Sequence, residues 1–266
     1  MKSILSHILV VASIIFLMMT SSDTNVIAGE LITMSQYEVQ PYMEKKLPDG
    51  GPFTQFIKGL FESMGHEVKI DWFPHKRAYM NVKKGQWDCS AGWNKLPERE
   101  GKVLFSDTIM YETLYLYHLK NNEIQWESIE DLKPHRIGIK LGAAVYGDDF
   151  FNAAKTNKII IDYALTDLLN LKKLFAKRID IVPLSKINAG YFLKKNFSKE
   201  KIALVTYHPK PFLKTSFHLI FSLKNKLLMN AFNAAFLKAG GQQFFKEKMR
   251  KMHQSVYKNK KTRLNQ

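Results

Sequence analysis

The sequence predicts an α/β protein of two lobes that face each other across a hinged cleft. Three observations carry this expectation. Apolar residues switch repeatedly between alternate and helical spacing, so strands and helices follow one another along the chain. That pattern runs twice, over 29–117 and again over 118–212. Two further strand-like runs, Thr113–Leu119 and Phe217–Phe221, fall where the chain passes from one unit to the other and back. The 266 residues are 45% apolar and 12% aromatic, enough for a real core, and this excludes wholesale disorder.

The elements follow in order. Glu30–Ser35 reads as a strand leading into a proline-containing loop, 36–42, and Pro48-Asp-Gly-Gly-Pro52 is a turn cluster. Phe53, Phe56, Ile57, Leu60, Phe61 and Met64 recur at helical spacing, and Gly65 ends that helix. Val68–Trp72 alternates as a strand, Pro74 opens a second helix closed by Gly85, and Trp87–Gly92 is a third strand. This is a βαβαβ unit with a parallel sheet. In the second unit, Ile129–Pro134 is a short lead-in. Arg136–Lys140 is a strand, Tyr146–Ala154 a helix, Ile159–Ile161 a strand, Thr166–Phe175 a helix and Ile179–Pro183 a strand. The chain then returns to the first lobe over 213–266. Lys224–Ala239 forms an amphipathic helix closed by Gly240-Gly241, 242–252 a further helix, and 258–266 a frayed tail. In sheets of this kind ligands bind outside the carboxyl ends of the strands, here facing the cleft.

The first 28 residues read as an export signal. A basic start, Met1-Lys2, precedes the uncharged run Ile8–Met19, which is too short to span a membrane. Val26 and Ala28 suit signal-peptidase cleavage before Gly29. No cysteine follows for lipid attachment, so the expectation is a soluble periplasmic protein. The alternative is an uncleaved anchor.

Asp88-Cys-Ser-Ala-Gly92-Trp-Asn-Lys-Leu-Pro-Glu-Arg99, followed by Val103-Leu-Phe-Ser-Asp107, resembles the signature of family 3 extracellular solute-binding proteins. So do Asp131-Leu…Ile137-Gly-Ile-Lys-Leu-Gly142 and Ser216–Lys224 with the helix after it. Most of 29–252 is covered, in order. The resemblance implies a type II periplasmic binding protein fold that serves ABC-type amino-acid transport, with Arg99 as the clamp for a ligand carboxylate. A guanidinium fork meets a carboxylate through two parallel hydrogen bonds. The blander reading of Arg99 is a surface ion pair with Glu98 or Glu100.

Departures from that pattern bear on the ligand. Where the family carries hydroxyl residues after the lobe-2 glycine, this chain has Ala143 and Ala144. Where the family carries the aspartate that meets an α-ammonium, it has Ser185. A buried ammonium without a carboxylate is costly, so Ser185 argues against an ordinary free α-amino acid. Asn94 stands in place of a family threonine, and Thr108-Ile-Met-Tyr111 replaces the family Pro-Tyr.

Tyr37, Tyr42 and Trp93 are aromatic cleft candidates, each with core or rim packing as the alternative. His75 and Arg77 open the helix after Phe73-Pro74, where an anion is favoured, against a solvated helix charge for Arg77. Tyr146 is placed to take over from the missing hydroxyls. Cys89, the sole cysteine, reads as a small buried residue. The 8 histidines show no metal spacing, and there is no phosphate loop or nucleophile elbow, so no metal and no cofactor are expected.

The net charge is +16, and residues 201–266 hold 14 Lys+Arg against one acid, Glu247. The functional reading is attraction to an anionic membrane or acidic partner; the favoured one is a solvated helix and tail. An exported chain excludes nucleic acid as partner. The expected function is capture of a small carboxylate-bearing ligand by a monomer that hands it to an inner-membrane ABC permease. A membrane sensor in place of the permease is one alternative. The other is a cyclohexadienyl-dehydratase-like enzyme, for which Glu38, Glu44 and Asp148 are the nearest acids.

Overall fold

The structure is a computed structural model and describes residues 29–143 and 145–250. The signal-peptide reading of 1–28, Ala144 and the tail 251–266 lie outside the described residues.

Ten strands are described: β1 Leu31–Gln36, β2 Glu67–Trp72, β3 Cys89–Trp93, β4 Leu104–Phe105, β5 Met110–Leu119, β6 Arg136–Lys140, β7 Ile160–Ala164, β8 Val182–Ser185, β9 Val205–Tyr207 and β10 Leu213–Phe221. The helices are α1 Pro52–Ser63, α2 His75–Lys83, α3 Gly147–Lys155, α4 Asp167–Phe175, α5 Lys186–Asn196, α6 Lys199–Ala203, α7 Lys226–Lys238 and α8 over 241–250.

One sheet runs through both lobes in the order β2-β1-β3-β10-β5-β8, with β4 on β10 and β9 on β5. β1 pairs in parallel with β2 and β3, as the βαβαβ reading requires. β10 and β5 run antiparallel to each other, Leu213 opposite Leu114 through Phe217 opposite Met110. These two long strands carry the chain between the lobes. They begin earlier than alternation suggests, because their first residues lie in the crossing, where no single face is buried. In the second lobe β6 and β7 form a parallel pair. The strand expected over 179–183 is displaced: Ile181 bridges Ile137, and β8 then leaves to pair with β5.

The first lobe encloses one core. On α1 the buried Phe53, Ile57, Leu60 and Phe61 meet Phe221 and Phe232 from the returning chain. Burying each such side chain contributes about 1.5–3 kcal/mol. The second lobe has two smaller cores, one around Leu171, Leu184 and Phe192, the other around Ile137, Phe150 and Trp126.

Helices α5 and α6 were not predicted. Their starts are capped by serine: Ser185 Oγ accepts from Asn188 N at 3.1 Å and Ser198 Oγ from Lys201 N at 3.4 Å. α5 buries Ala189, Tyr191, Phe192 and Leu193 in near-succession, so it has no clean apolar stripe to read. Among the described residues no helix is long and apolar enough to cross a membrane.

Candidate functional site

A cavity of about 190 Å³ lies between the lobes at the carboxyl ends of their strands. Its size suits a small metabolite, since drug-sized ligands occupy roughly 300–1,000 Å³. The first lobe contributes Tyr37, His75, Asn94 and Arg99; the second contributes Lys140, Ala143, Tyr146, Asp167, Ser185 and Asn188.

On the first lobe an aromatic bed supports one cation. Gly92, at φ +83°, turns the chain at the end of β3, and Tyr37 donates its hydroxyl to Gly92 O. The Tyr37 ring lies 4.7 Å from Trp93 and 4.6 Å from His75, and His75 lies 4.6 Å from Trp93. Trp93 is anchored by Nε1 donating to Ser90 Oγ at 2.7 Å. Above this bed sits Arg99, 5.1 Å over the Trp93 ring and 5.7 Å over Tyr79. Arg99 Nη1 donates to Asn94 O at 2.8 Å. Among the described residues Arg99 makes no ion pair; Glu100 instead pairs with Lys95. Burial lowers the Arg99 pKa from its usual value, yet a guanidinium stays charged. His75, by contrast, is pushed down to about 4 by desolvation and by Arg99 and Lys140, so it is neutral at pH 7.

The second lobe supplies the opposite charge. Thr166 caps α4, its Oγ1 accepting from Leu169 N at 3.2 Å, and the next residue, Asp167, faces the cavity. The Asp167 carboxylate makes no hydrogen bond or ion pair among the described residues. Desolvation raises its carboxyl pKa, and Lys140 opposes that rise. Lys140 ends β6 just before the turn in which Ala143 N donates to Lys140 O at 3.1 Å. It too has no side-chain partner among the described residues.

Beneath the cavity floor, Glu112 on β5 accepts from Tyr42 Oη at 2.9 Å and interacts with the Ser185 hydroxyl. Burial raises the Glu112 carboxyl pKa, and Asp167 adds to the rise.

Tyr37, His75, Asn94, Arg99, Ala143, Tyr146 and Ser185 thus come together as candidate residues, and three others do not. Trp93, 1% exposed, lies under Arg99 rather than against the cavity. Tyr42 is held below the floor by Glu112. Arg77 does not line the cavity and lies 5.3 Å over the Phe73 ring instead. Ala144 lies outside the described residues. Asn94 departs from expectation in another way: its Nδ2 is taken by Thr215 Oγ1 and Ser216 O, both at 2.9 Å, so it ties β3 to the crossing strand.

Although Ser185 stands where the family carries its aspartate, a carboxylate does reach the cleft, from Asp167 on a different element. Ser185 Oγ is occupied by the α5 cap and by Asn188 Oδ1 at 3.0 Å. Glu38, Glu44 and Asp148, the nearest acids for the enzyme alternative, do not line the cavity. Asp167 was hidden by its position, since an acid at a helix start reads as a routine dipole partner. Lys140 was hidden as one lysine among many. Among the described residues no cluster of His, Cys, Asp and Glu could hold a metal.

Two α/β lobes joined by antiparallel crossing strands, with a cavity between them, define the type II periplasmic binding protein fold. Solved structures bear this out. The probable amino-acid ABC transporter extracellular-binding protein ytmK of Bacillus subtilis superposes with a TM-score of 0.69 at 17% identity, over 84% of this chain and 97% of that one. A histidine-bound ABC uptake substrate-binding protein of Streptococcus pneumoniae gives 0.66 at 21% identity, over 84% and 92%. An ancestral amino-acid-binding protein, a precursor of cyclohexadienyl dehydratase, gives 0.65 at 19% identity, over 84% and 95%. No family model matches the sequence, and no curated protein matches it.

Proposed function

We propose that the protein is a periplasmic solute-binding protein that closes its lobes on a small zwitterionic metabolite and delivers it to an ABC permease. The observation that carries this reading is a pair of opposite charges, Arg99 and Asp167, lining one interlobe cavity with no ion-pair partner among the described residues. Charges held from water without partners are costly, and a ligand bearing a carboxylate and an ammonium relieves both. The carboxylate goes to the Arg99 fork, whose orientation Trp93 and Asn94 O fix. The ammonium goes to Asp167. Tyr37 and Tyr146 provide rigid walls. Because the charges belong to opposite lobes, binding favours the closed state. The amino-acid-binding proteins that share the fold support this reading.

Titration calorimetry of the purified protein against the common amino acids, after unfolding and refolding to strip carried ligand, tests it. Binding of at least one amino acid, lost in both Arg99→Ala and Asp167→Ala, is expected. Binding unaffected by either substitution overturns the proposal. Asp167 is also the feature that favours the dehydratase-like alternative, because a carboxyl with a raised pKa can donate a proton. Turnover of prephenate or arogenate would establish that reading instead.

A further inference from the structure

The charges around the cavity do not balance. Arg99 and Lys140 are cationic; His75 is neutral at pH 7, and Arg77 does not line the cavity. Against them, among the described residues, Asp167 is the one acid that lines the cavity. Glu112 lies below the floor, engaged by Tyr42 and Ser185, and does not line it. Glu98, beside Arg99, is exposed and likewise outside the lining. The cavity therefore carries one positive charge in excess.

Lys140 is placed to use that excess. It ends β6 at the mouth of the second lobe, its ammonium has no partner among the described residues, and its field reaches both His75 across the cleft and Asp167 beside it. The two alanines that follow the turn glycine bring no hydroxyl to an anion here. That leaves the lysine as the second lobe's cationic group.

We infer that the ligand is a small amino acid with two acidic groups and one amine, of net charge −1, and that Lys140 binds the second acidic group. This rests on the proposed zwitterion site and specifies it: Arg99 takes one carboxylate, Asp167 the ammonium, Lys140 the other carboxylate. A ligand with a cationic side chain would add a like charge beside Lys140, and a neutral one would leave Lys140 without a counter-charge.

The test is titration calorimetry of the purified protein at pH 7.5 with L-glutamate, L-aspartate, L-glutamine, L-arginine and glutarate. Glutamate or aspartate should bind at least ~10-fold tighter than glutamine, with arginine weakest. Lys140→Gln should bring the acidic ligand and glutamine to within about threefold of each other, chiefly by weakening the acidic ligand, as removal of its counter-charge predicts. Glutarate, which lacks the amine, should bind weakly and gain in Asp167→Asn. Glutamine or arginine binding as tightly as glutamate, or a preference that survives Lys140→Gln, overturns this assignment and leaves the zwitterion site standing. Silence toward every amino acid overturns both.

Discussion

The guanidinium of Arg99 lies over the indole of Trp93 at 5.1 Å while its Nη1 donates to Asn94 O at 2.8 Å. The ring holds the guanidinium plane from below, and the carbonyl fixes its rotation. So held, Arg99 lines the cleft with no ion-pair partner among the described residues. Preorganisation of this kind raises affinity by lowering the entropy lost on binding.

The first prediction separates charge from geometry. Arg99→Ala should weaken binding of the best amino-acid ligand by about 100-fold or more, the scale for truncating one side of a buried charge pair. Arg99→Lys keeps the charge but presents no planar fork, so it should still lose about tenfold. Arg99→Ala also gives up the bond to Asn94 O and the contact with Trp93, so its urea midpoint, measured alongside, shows how much of the affinity loss travels with stability. Affinity fully kept in Arg99→Lys would show that charge alone matters.

Asn94 gives a second prediction, as a positioning residue. Its two donated bonds to Thr215 and Ser216 tie the end of β3 to β10. Asn94→Ala removes both and leaves Ser216 O without that donor, a cost of about 1–3 kcal/mol. Because Asn94 O also orients Arg99, ligand affinity should fall with stability. The structural share can be isolated: Thr215→Val should lower the urea midpoint with a smaller effect on affinity, since Asn94 keeps its bond to Ser216 O.

Much of this architecture was legible in the sequence. Periodicity marked the βαβαβ unit most clearly in its helices, where α1 buries Phe53, Ile57, Leu60 and Phe61 at helical spacing, and glycines at 65, 85 and 240–241 punctuated the helix ends. Arg99 was legible from its motif. Asp167 and Lys140 were not, because each occupies a position where its residue type is ordinary, and only the meeting of the lobes gives it a role. Ser185 misled for the opposite reason. A missing acid at one position says nothing about an acid arriving from another helix.

Gly92 supplies a third prediction. Its φ of +83° is a conformation that side chains rarely adopt, and a Cβ there would collide with Met43 Cε. Gly92→Ala should destabilise the protein by about 1–3 kcal/mol. It should also weaken ligand binding, because Tyr37 donates to Gly92 O and Trp93 is the next residue. A variant as stable as wild type would mean that the β3 end relaxes without cost.

The pH dependence of the ligand-free protein gives the last prediction, and its two halves have opposite signs. Burial raises the carboxyl pKa values of Glu112 and Asp167 above the unfolded values of about 4. Between the unfolded and folded values the native state binds more protons than the unfolded chain, so stability falls as pH rises through that window. His75 behaves inversely. Its folded pKa of about 4 lies below the unfolded value of about 6.5, so the unfolded chain binds more protons and stability rises with pH across that interval. The two trends oppose each other in wild type, and single substitutions separate them. Urea midpoints measured from pH 4 to 8 should fall less steeply with rising pH in Glu112→Gln than in wild type, and Asp167→Asn should act in the same direction. In His75→Asn the rise should vanish, leaving the carboxyl trend exposed. An amine-bearing ligand should oppose the carboxyl trend, since pairing with Asp167 favours its ionised form and releases a proton on binding. Calorimetry in buffers of different ionisation enthalpy should therefore show proton release in wild type near the raised Asp167 pKa and less release in Asp167→Asn. Equal release in both would remove Asp167 from the site.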